Sequence, residues 1–600
     1  MKARMKKIAA LLSASIMSMS LLTGTCVVNA EEAGSTPRNE TLYFAGQQWG
    51  TINDWNPLSS NSNNAMGVAQ QDMSRVLIYE SLFLYNNMDG QLHPLLGKDY
   101  AWNDEQTEMT IHLNPDAKWS DGTQVTAEDV AYTWEAHVKY NTGIGADYSA
   151  YIDNIEATDA ETVVIKAKLD EEGKAINPLK ILEYIPKVYV IQKAYMQTVE
   201  ERNGNDADKI KMDKMEDFVS SGPYTKYFDD EQKIVFVRDD EYWGQAESMW
   251  GSLPAPKYIT HVIYKDNGAG QIGFAKGEVD IAQMFITDIQ KLWEEDGLPI
   301  TTYMDEAPYG VGTLMPTCFM NMKRNGLDQV EVRKAIAMAV DFEHIVASAM
   351  SNQSATFEQV PRSVMNATDA EQAMIDKEKL ADLQFGNDVD AAIKILDDAG
   401  IVDTDGDNIR EFNGENLSYT MECPDGWTDW MAACEDVAKA GQAIGIDIQT
   451  NYPDLTTYAE NYQTGNFDLC INNVNGSSIS NPWGRCMQLM SSTYADQEIN
   501  TLGNWSGYKN DEVDEILAKI PFEQDADQLK EYYTRLSEIY LTDVPAFTLM
   551  YRPQQFFNVN ESVWTNYPMY EDGTNIPPTS CTDGYGVAGL YQLQLVEEME

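Results

Sequence analysis

Hydrophobic and polar positions alternate with period two in several short runs. Met109, Ile111 and Leu113 show it most clearly, and the same pattern predicts strands at 162–166, 233–237, 258–264 and 417–421. Between such runs the apolar spacing changes to four: Val332, Ile336 and Val340 predict a helix over 330–340, and 390–399 reads as a second helix ending on Gly400 as its cap. A further helix starts at Thr126, with Val130, Trp134 and Val138 on one face and Asp129 three residues on as the partner of a capping box. Glu128 and Asp129 then occupy a first helical turn, where the helix dipole favours acids, and Ser120–Thr123 makes the preceding turn. The acids of W-S-D-G-T-Q-V-T-A-E-D-V (119–130) are therefore structural rather than catalytic. The rhythm is α/β, without internal repeats, and 200–217 is the most polar stretch, an exposed loop and helix.

Six hundred residues exceed one ordinary core and imply at least two lobes. Residues 1–30 stand apart: Lys2, Arg4, Lys6 and Lys7 precede an apolar run from Ile8 to Leu22 and a small-residue site at Val28–Ala30, the pattern of a signal peptide. Leu22-Thr-Gly-Thr-Cys26 is a rival lipoprotein signal, but it places Thr25 where Gly or Ala belongs. No later window is long and apolar enough for a membrane span, so an exported chain, soluble or tethered, is expected. Losing the four leader cations takes the formal net charge from -53 to -57. Such a surface repels nucleic acid and anionic lipid, and neither is expected as a partner. The six cysteines after Cys26 contain no CxxC pair, and no disulfide pairing follows from their spacing.

The stretch 119–130 also resembles a signature of the bacterial extracellular solute-binding proteins of family 5, the binding components of ABC importers for oligopeptides, dipeptides and nickel. It is joined in family order by V-L-I-Y-E-S-L-F (76–83), Ser221-Gly-Pro-Tyr224, Asp240-Glu-Tyr-Trp-Gly244 and Gly277-Glu-Val-Asp-Ile281. Val332-Arg-Lys-Ala-Ile336 with Asp341, Asp397–Gly400, Asp405–Glu411, Gly507-Tyr508 with Val513-Asp514, and Asp543-Val-Pro545 follow. The resemblance implies an α/β fold of type II, a two-lobed periplasmic-binding-protein-like clamshell with the extra subdomain of the oligopeptide-binding class. After a linker at 31–40, lobe 1 would span 41–300, with the extra subdomain at about 76–217, and be completed by 545–600. Lobe 2 would span 301–544, with crossings near 296–312 and 540–550. A monomer is expected, handing its ligand to a membrane permease driven by an ATPase.

Several motifs are decoys. Gly268, Gly270 and Gly273 with Asp288 spell a dinucleotide fingerprint, but such a cofactor does not suit an exported protein, and no cofactor is expected. Asp403, Asp405 and Asp407 alternate like calcium ligands, yet Asn408 and Gly414 replace the Gly and Glu that an EF-hand loop requires, which favours a hydrogen-bonded turn. The five histidines are scattered singly.

For the ligand, peptide-binding members place an acid after a Phe-Asp-Leu strand. Here Phe467-Asp-Leu469 is followed by Asn472 to Trp483 without an acid, only amides and hydroxyls. A peptide ammonium buried without a carboxylate is costly, whereas amides beside Trp suit sugar hydroxyls and ring faces. The ligand-binding candidates are Trp49, Asn53, Trp55, Trp427, Asn473, Asn475, Asn481 and Trp483. Oligopeptide is the first ligand class and β-linked oligosaccharide the second. Nickel or haem is third, since no His cluster supports it, and a secreted glycoside hydrolase is the remote alternative from another class; a non-enzyme is expected.

Overall fold

The structure, a computed structural model, describes residues 34–46, 54–59, 77–476, 478–554, 556–578 and 584–596. The leader, Cys26, Trp49, Asn53, Val76, Ser477 and Cys581 lie outside the described residues.

Two sheets carry the architecture. A seven-stranded sheet runs in the order Ile300–Thr302, Asn558–Asn560, Ile281–Ala282, Thr41–Ala45, Tyr258–Val262, Lys233–Arg238, Tyr224–Asp229. Its centre is parallel, since Thr41–Ala45 pairs in that sense with both neighbours, and its flanks are antiparallel. A five-stranded sheet runs Asp447–Asn451, Ser418–Glu422, Leu469–Val474, Met315–Met320, Ala546–Thr548. Every residue of Met315–Met320 is buried, because this strand is covered on both sides. Cys318, Met320, Leu469 and Ile471 belong to one core, while Met315, Phe319, Cys470 and Val474 belong to the core on the opposite face.

An antiparallel four-stranded sheet, Gly97–Trp102, Glu108–Leu113, Thr162–Ala167, Ile152–Ala157, sits within the stretch expected as the extra subdomain. Glu108–Leu113 buries its alternate residues Met109, Ile111 and Leu113. The helix Ala127–Lys139 has the expected capping box, with Asp129 Oδ2 accepting from the Thr126 N–H at 2.9 Å. The same carboxylate also takes the indole N–H of Trp119 and the backbone N–H of Lys193. One expectation here fails: Val138 is exposed and His137 takes the inward position.

Other differences have clear causes. The linker expected at 31–40 is partly structure, since Arg38–Glu40 forms a 3-10 turn held by Arg38 on the buried Asp280 at 2.6 Å. The polar stretch 200–217 is more than an exposed loop. Ile210 and Met215 are buried, and Asn56 Nδ2 donates to the carbonyls of Ile210 and Asp213. The chain crosses between the two large sheets at 303–314 and 549–557. Ile300–Thr302 still pairs with Asn558–Asn560, and Ala546–Thr548 still belongs to the five-stranded sheet rather than to the tail expected from residue 545.

The recognisable motifs tie distant segments together inside each lobe. Glu80 accepts from Tyr242 Oη at 2.5 Å and Trp243 Nε1 at 2.9 Å, and its own N–H donates to Ser221 Oγ. Arg333 donates to the carbonyls of Asp543 and Val544, and Tyr508 donates to the Asp543 carboxylate. Arg410 caps the carbonyls of Ile401 and Ile444.

Candidate functional site

The two crossing segments meet where Leu314 and Arg552 exchange backbone hydrogen bonds of 2.8 and 3.0 Å. Three parts of the second lobe converge there. The helix Thr428–Ala443 begins beside it, and its Asp429 pairs with Arg552 at 3.1 Å. Directly before that helix Trp427 leaves 41% of its surface exposed, braced edge-on by Trp430 at 4.7 Å between ring centroids. The end of the strand Leu469–Val474 supplies the third part. A Cβ on Gly476 would come within 3.0 Å of Leu314 and 3.6 Å of Gln554 Oε1, so the segment passes both crossings at contact distance.

The segment 475–476 is fixed from behind. Arg485 is fully buried and donates to the carbonyls of Asn475 (2.9 Å), Gly476 (2.8 Å) and Val364 (3.1 Å). Burial works against its charge, but the bidentate Glu371 carboxylate at 2.5 and 3.0 Å outweighs that and raises the Arg485 pKa. From the first lobe, Tyr85 is set beside this pair, and burial followed by the Glu371 charge pushes its phenol far up. Glu183 reaches Ser480 from the same side; burial alone would raise its pKa, yet Lys187 and Lys180 hold it lowered.

The site candidates separate into two groups. Asn475 and Asn481 converge over Gly484, where an added Cβ would meet Asn475 Nδ2 at 3.0 Å and Asn481 Oδ1 at 3.6 Å. Asn473 lies on the strand face that packs with Trp430, and its buried Oδ1 has no hydrogen-bond partner among the described residues. Of these, Asn475 directly precedes Gly476, which passes Leu314, and Trp427 lies two residues before Asp429, the partner of Arg552. Trp55 is corrected: it is 1% exposed, stacked on Phe218 at 5.4 Å and edge-on to Phe236, so its ring belongs to the core. Trp483 is partly buried against the second-lobe core and donates its indole N–H to the carbonyl of Leu517 at 2.9 Å.

Asp429, Arg552 and Arg485 are the residues that sequence reasoning missed. Asp429 lies in the PDGWTDWM stretch that contains Trp427. Nothing in the sequence around Arg552 signals that it reaches that acid.

The acidic loop is a turn first. Asp403 accepts the backbone N–H groups of Gly406 and Asn408, which hold its carboxyl below the ordinary range. Its oxygens lie near those of Asp405 and Glu411, whereas Asp407 instead accepts from Asn416. Gly268–Gly273 lies in the helix Asn267–Ala275, capped by its own Asp266 side chain on the Ala269 N–H.

Comparison with known proteins adds an independent line. Residues 91–496 match the family described as bacterial extracellular solute-binding proteins, family 5 Middle. The periplasmic oligopeptide-binding protein OppA of Haemophilus influenzae is 22% identical over 504 residues, covering 82% of this chain and 86% of its own. Among solved structures, an oligopeptide ABC transporter periplasmic oligopeptide-binding protein from Thermotoga maritima superposes with a TM-score of 0.83 at 27% identity, covering 94% of this chain and all of its own. A mannohexaose-bound structure described in the same way, also from Thermotoga maritima, gives 0.74 at 26% identity, with 94% and 100% covered.

Proposed function

This chain belongs to family 5 of the bacterial extracellular solute-binding proteins and has their two-lobed α/β fold, and from that premise we propose that it is the extracytoplasmic binding component of an ABC importer for oligopeptides. It would capture the peptide at the crossing segments between its lobes and release it to a membrane permease worked by an ATPase. The named relatives are binding proteins, and binding without turnover is the reading adopted here. Among the described residues no helix is long and apolar enough to cross a membrane. Export through the leader at 1–30, with the chain acting as a monomer, completes the proposal.

The observation that carries the peptide reading is Asp429. The segment 472–483 has no acid, but Asp429 brings a carboxylate to the same place from another part of the chain, half-shielded beside the exposed Trp427. Paired with Arg552, it presents adjacent negative and positive groups, a match for the ammonium and carbonyl oxygens at the start of a peptide. A β-linked oligosaccharide is the second reading. It is favoured by the Trp427 ring beside the unspent amide oxygen of Asn473 and by the mannohexaose-bound relative.

Thermal unfolding of residues 31–600 with di- to hexapeptides and with β-linked oligosaccharides tests both readings. A true ligand at a hundredfold over its Kd adds about 2.7 kcal/mol. Asp429→Asn is expected to weaken peptide binding at least tenfold, since a charged hydrogen bond contributes roughly 1.5–3 kcal/mol. Stabilisation by sugars alone, unchanged by Asp429→Asn, would replace the first reading with the second. Stabilisation by neither class would remove both.

A further inference from the structure

Cys318, Cys423 and Cys434 share one core of the second lobe, whereas Cys470 and Cys486 belong to the core on the other face of the five-stranded sheet. Within the first group one pair is set apart. Ser418–Glu422, the helix Thr428–Ala443 and Asp447–Asn451 form a βαβ unit, its two strands parallel and adjacent. Cys423 directly follows the first strand, and Cys434 lies on the inner face of the helix with Trp430, Ala433 and Val437. Both are fully buried, and the Cys434 thiol is in hydrogen-bonding contact with that of Cys423, while Cys318 and Cys470 act on it at longer range. A disulfide requires side chains that converge from backbone segments already close together. A strand end and the helix packed back over it supply that convergence.

The pair brackets part of the candidate site. Residues 424–433 between the two cysteines hold Trp427 and Asp429. Asp425 N–H donates to the Pro453 carbonyl at 2.9 Å and Met431 N–H to the Trp427 carbonyl at 2.8 Å, so backbone bonds shape the turn. A bond from Cys423 to Cys434 closes a covalent ring around it. Burial decides when that bond can form. The thiolate is the attacking species in exchange, and burial pushes the Cys434 thiol well above its ordinary range, so the docked helix shuts the pair off from an oxidant. Closure therefore belongs to folding, before the helix packs.

We propose that Cys423 and Cys434 are a disulfide pair that closes during folding in an oxidising compartment and fixes the turn carrying Trp427 and Asp429. The structure holds the thiol form, with all five described cysteines free. Closure is exchange with a low-molecular-weight disulfide, glutathione disulfide in the test below. One cysteine thiolate displaces a first glutathione, and the second thiolate attacks the mixed disulfide and displaces the other. One S–S bond breaks and one forms, two electrons pass to glutathione, and the two thiol protons end on the two glutathione molecules. The oxidising compartment rests on the export reading.

Residues 31–600 are synthesised in a cell-free system buffered with glutathione disulfide, and in parallel under TCEP. Each soluble product is unfolded in urea, alkylated with N-ethylmaleimide and mapped by peptide mass spectrometry. The expected result is a peptide pair joining Cys423 to Cys434 in the first product, with Cys318, Cys470 and Cys486 alkylated, and alkylation of all five in the second. Closing the ring 423–434 should favour the folded state by about a hundredfold, read as a higher urea midpoint. It should also slow amide hydrogen exchange at 424–429. Cys434→Ala, on the helix, and Cys423→Ala, at the strand end, should each erase the difference between the two media. Alkylation of both cysteines in the oxidised product, or linkage of either to Cys318, would overturn the pairing. A linked product whose midpoint and exchange match those of the thiol form would overturn the hold on the turn. Failure of the importer reading shows elsewhere, in the absence of stabilisation by peptides, because neither export nor ligand enters this test.

Discussion

Arg485 and Glu371 allow a stability effect to be separated from a positioning effect. Their side chains are 0% and 3% exposed and joined by two contacts of 2.5 and 3.0 Å. Glu371→Ala strands a buried guanidinium and is expected to cost about 3–5 kcal/mol, the usual penalty for breaking a buried pair by removing one partner. Replacing both, as Glu371→Leu with Arg485→Met, removes the charge problem along with the pair, and such apolar replacements are often neutral. Three carbonyls then lose their donor. Those of Asn475 and Gly476 lie at part-buried positions that water can reach, while the Val364 carbonyl is buried. The buried N–H of Asn366 also loses the Glu371 carboxylate that accepts it, so the double variant should sit about 2–3 kcal/mol below the parent, still above Glu371→Ala. Ligand binding should not recover, because segment 475–476 has lost both Arg485 bonds and keeps only that of the Asn475 N–H to Gln488 Oε1. A loss near tenfold, about 1.4 kcal/mol, is expected. Urea unfolding measures the first quantity and calorimetric titration of the thermally identified ligand the second. A double variant as unstable as Glu371→Ala, or one that binds within twofold of the parent, would refute the reasoning.

Glu80 is buried without a cation, and burial pushes its pKa from 4.5 to about 8 despite the hydrogen bonds from Tyr242 and Trp243. The folded state thus holds a proton that the unfolded chain releases, so this stability is complete below about pH 4.5 and lost as pH rises through about 8. Glu80→Gln should flatten the fall of the unfolding midpoint over that window, and parallel curves for the two proteins would contradict a neutral Glu80. Cys318, Cys423, Cys434, Cys470 and Cys486 are free and buried. Their alkylation, followed by peptide mass spectrometry, should stay at background until urea unfolds the chain; labelling of any of them under native conditions would show that its core opens. At the acidic loop, removing calcium with a chelator should leave the midpoint unchanged, whereas Asp403→Asn should lower it slightly by weakening the turn. A chelator-sensitive midpoint that Asp403→Asn abolishes would identify a metal site instead.

Glu108–Leu113 and Thr162–Ala167 were legible because one face of each is buried at period two, whereas Lys233–Arg238 and Tyr258–Val262 bury consecutive residues and were legible by their short runs of β-branched and aromatic residues. Trp55 shows the limit of such reading. Its burial depends on Phe218 and Phe236 closing over it and on Asn56 docking to Ile210, all of them far along the chain. Trp427 and Trp430 look equivalent in sequence, but one precedes the helix and the other lies on its inner face, leaving the first exposed and the second 3% exposed. The family signatures were conspicuous for a related reason. Glu80 with Tyr242 and Trp243, and Arg333 with Asp543, knot each lobe internally. They identify the scaffold, while Asp429 and Arg552, which we propose meet the ligand, come from segments without a signature.

The pairing of Ile300–Thr302 with Asn558–Asn560 sets an order of assembly. The second lobe is a single insertion between two adjacent strands of the first sheet, and it can complete its own five-stranded sheet from one continuous stretch of chain. The first sheet cannot: Asn558–Asn560 lies between Ile300–Thr302 and Ile281–Ala282, so both strands wait with open edges until nearly the whole polypeptide has been made. Strands from the middle of the chain are thus locked last, whereas Thr41–Ala45 has both its neighbours, Tyr258–Val262 and Ile281–Ala282, long before the C-terminal strand arrives.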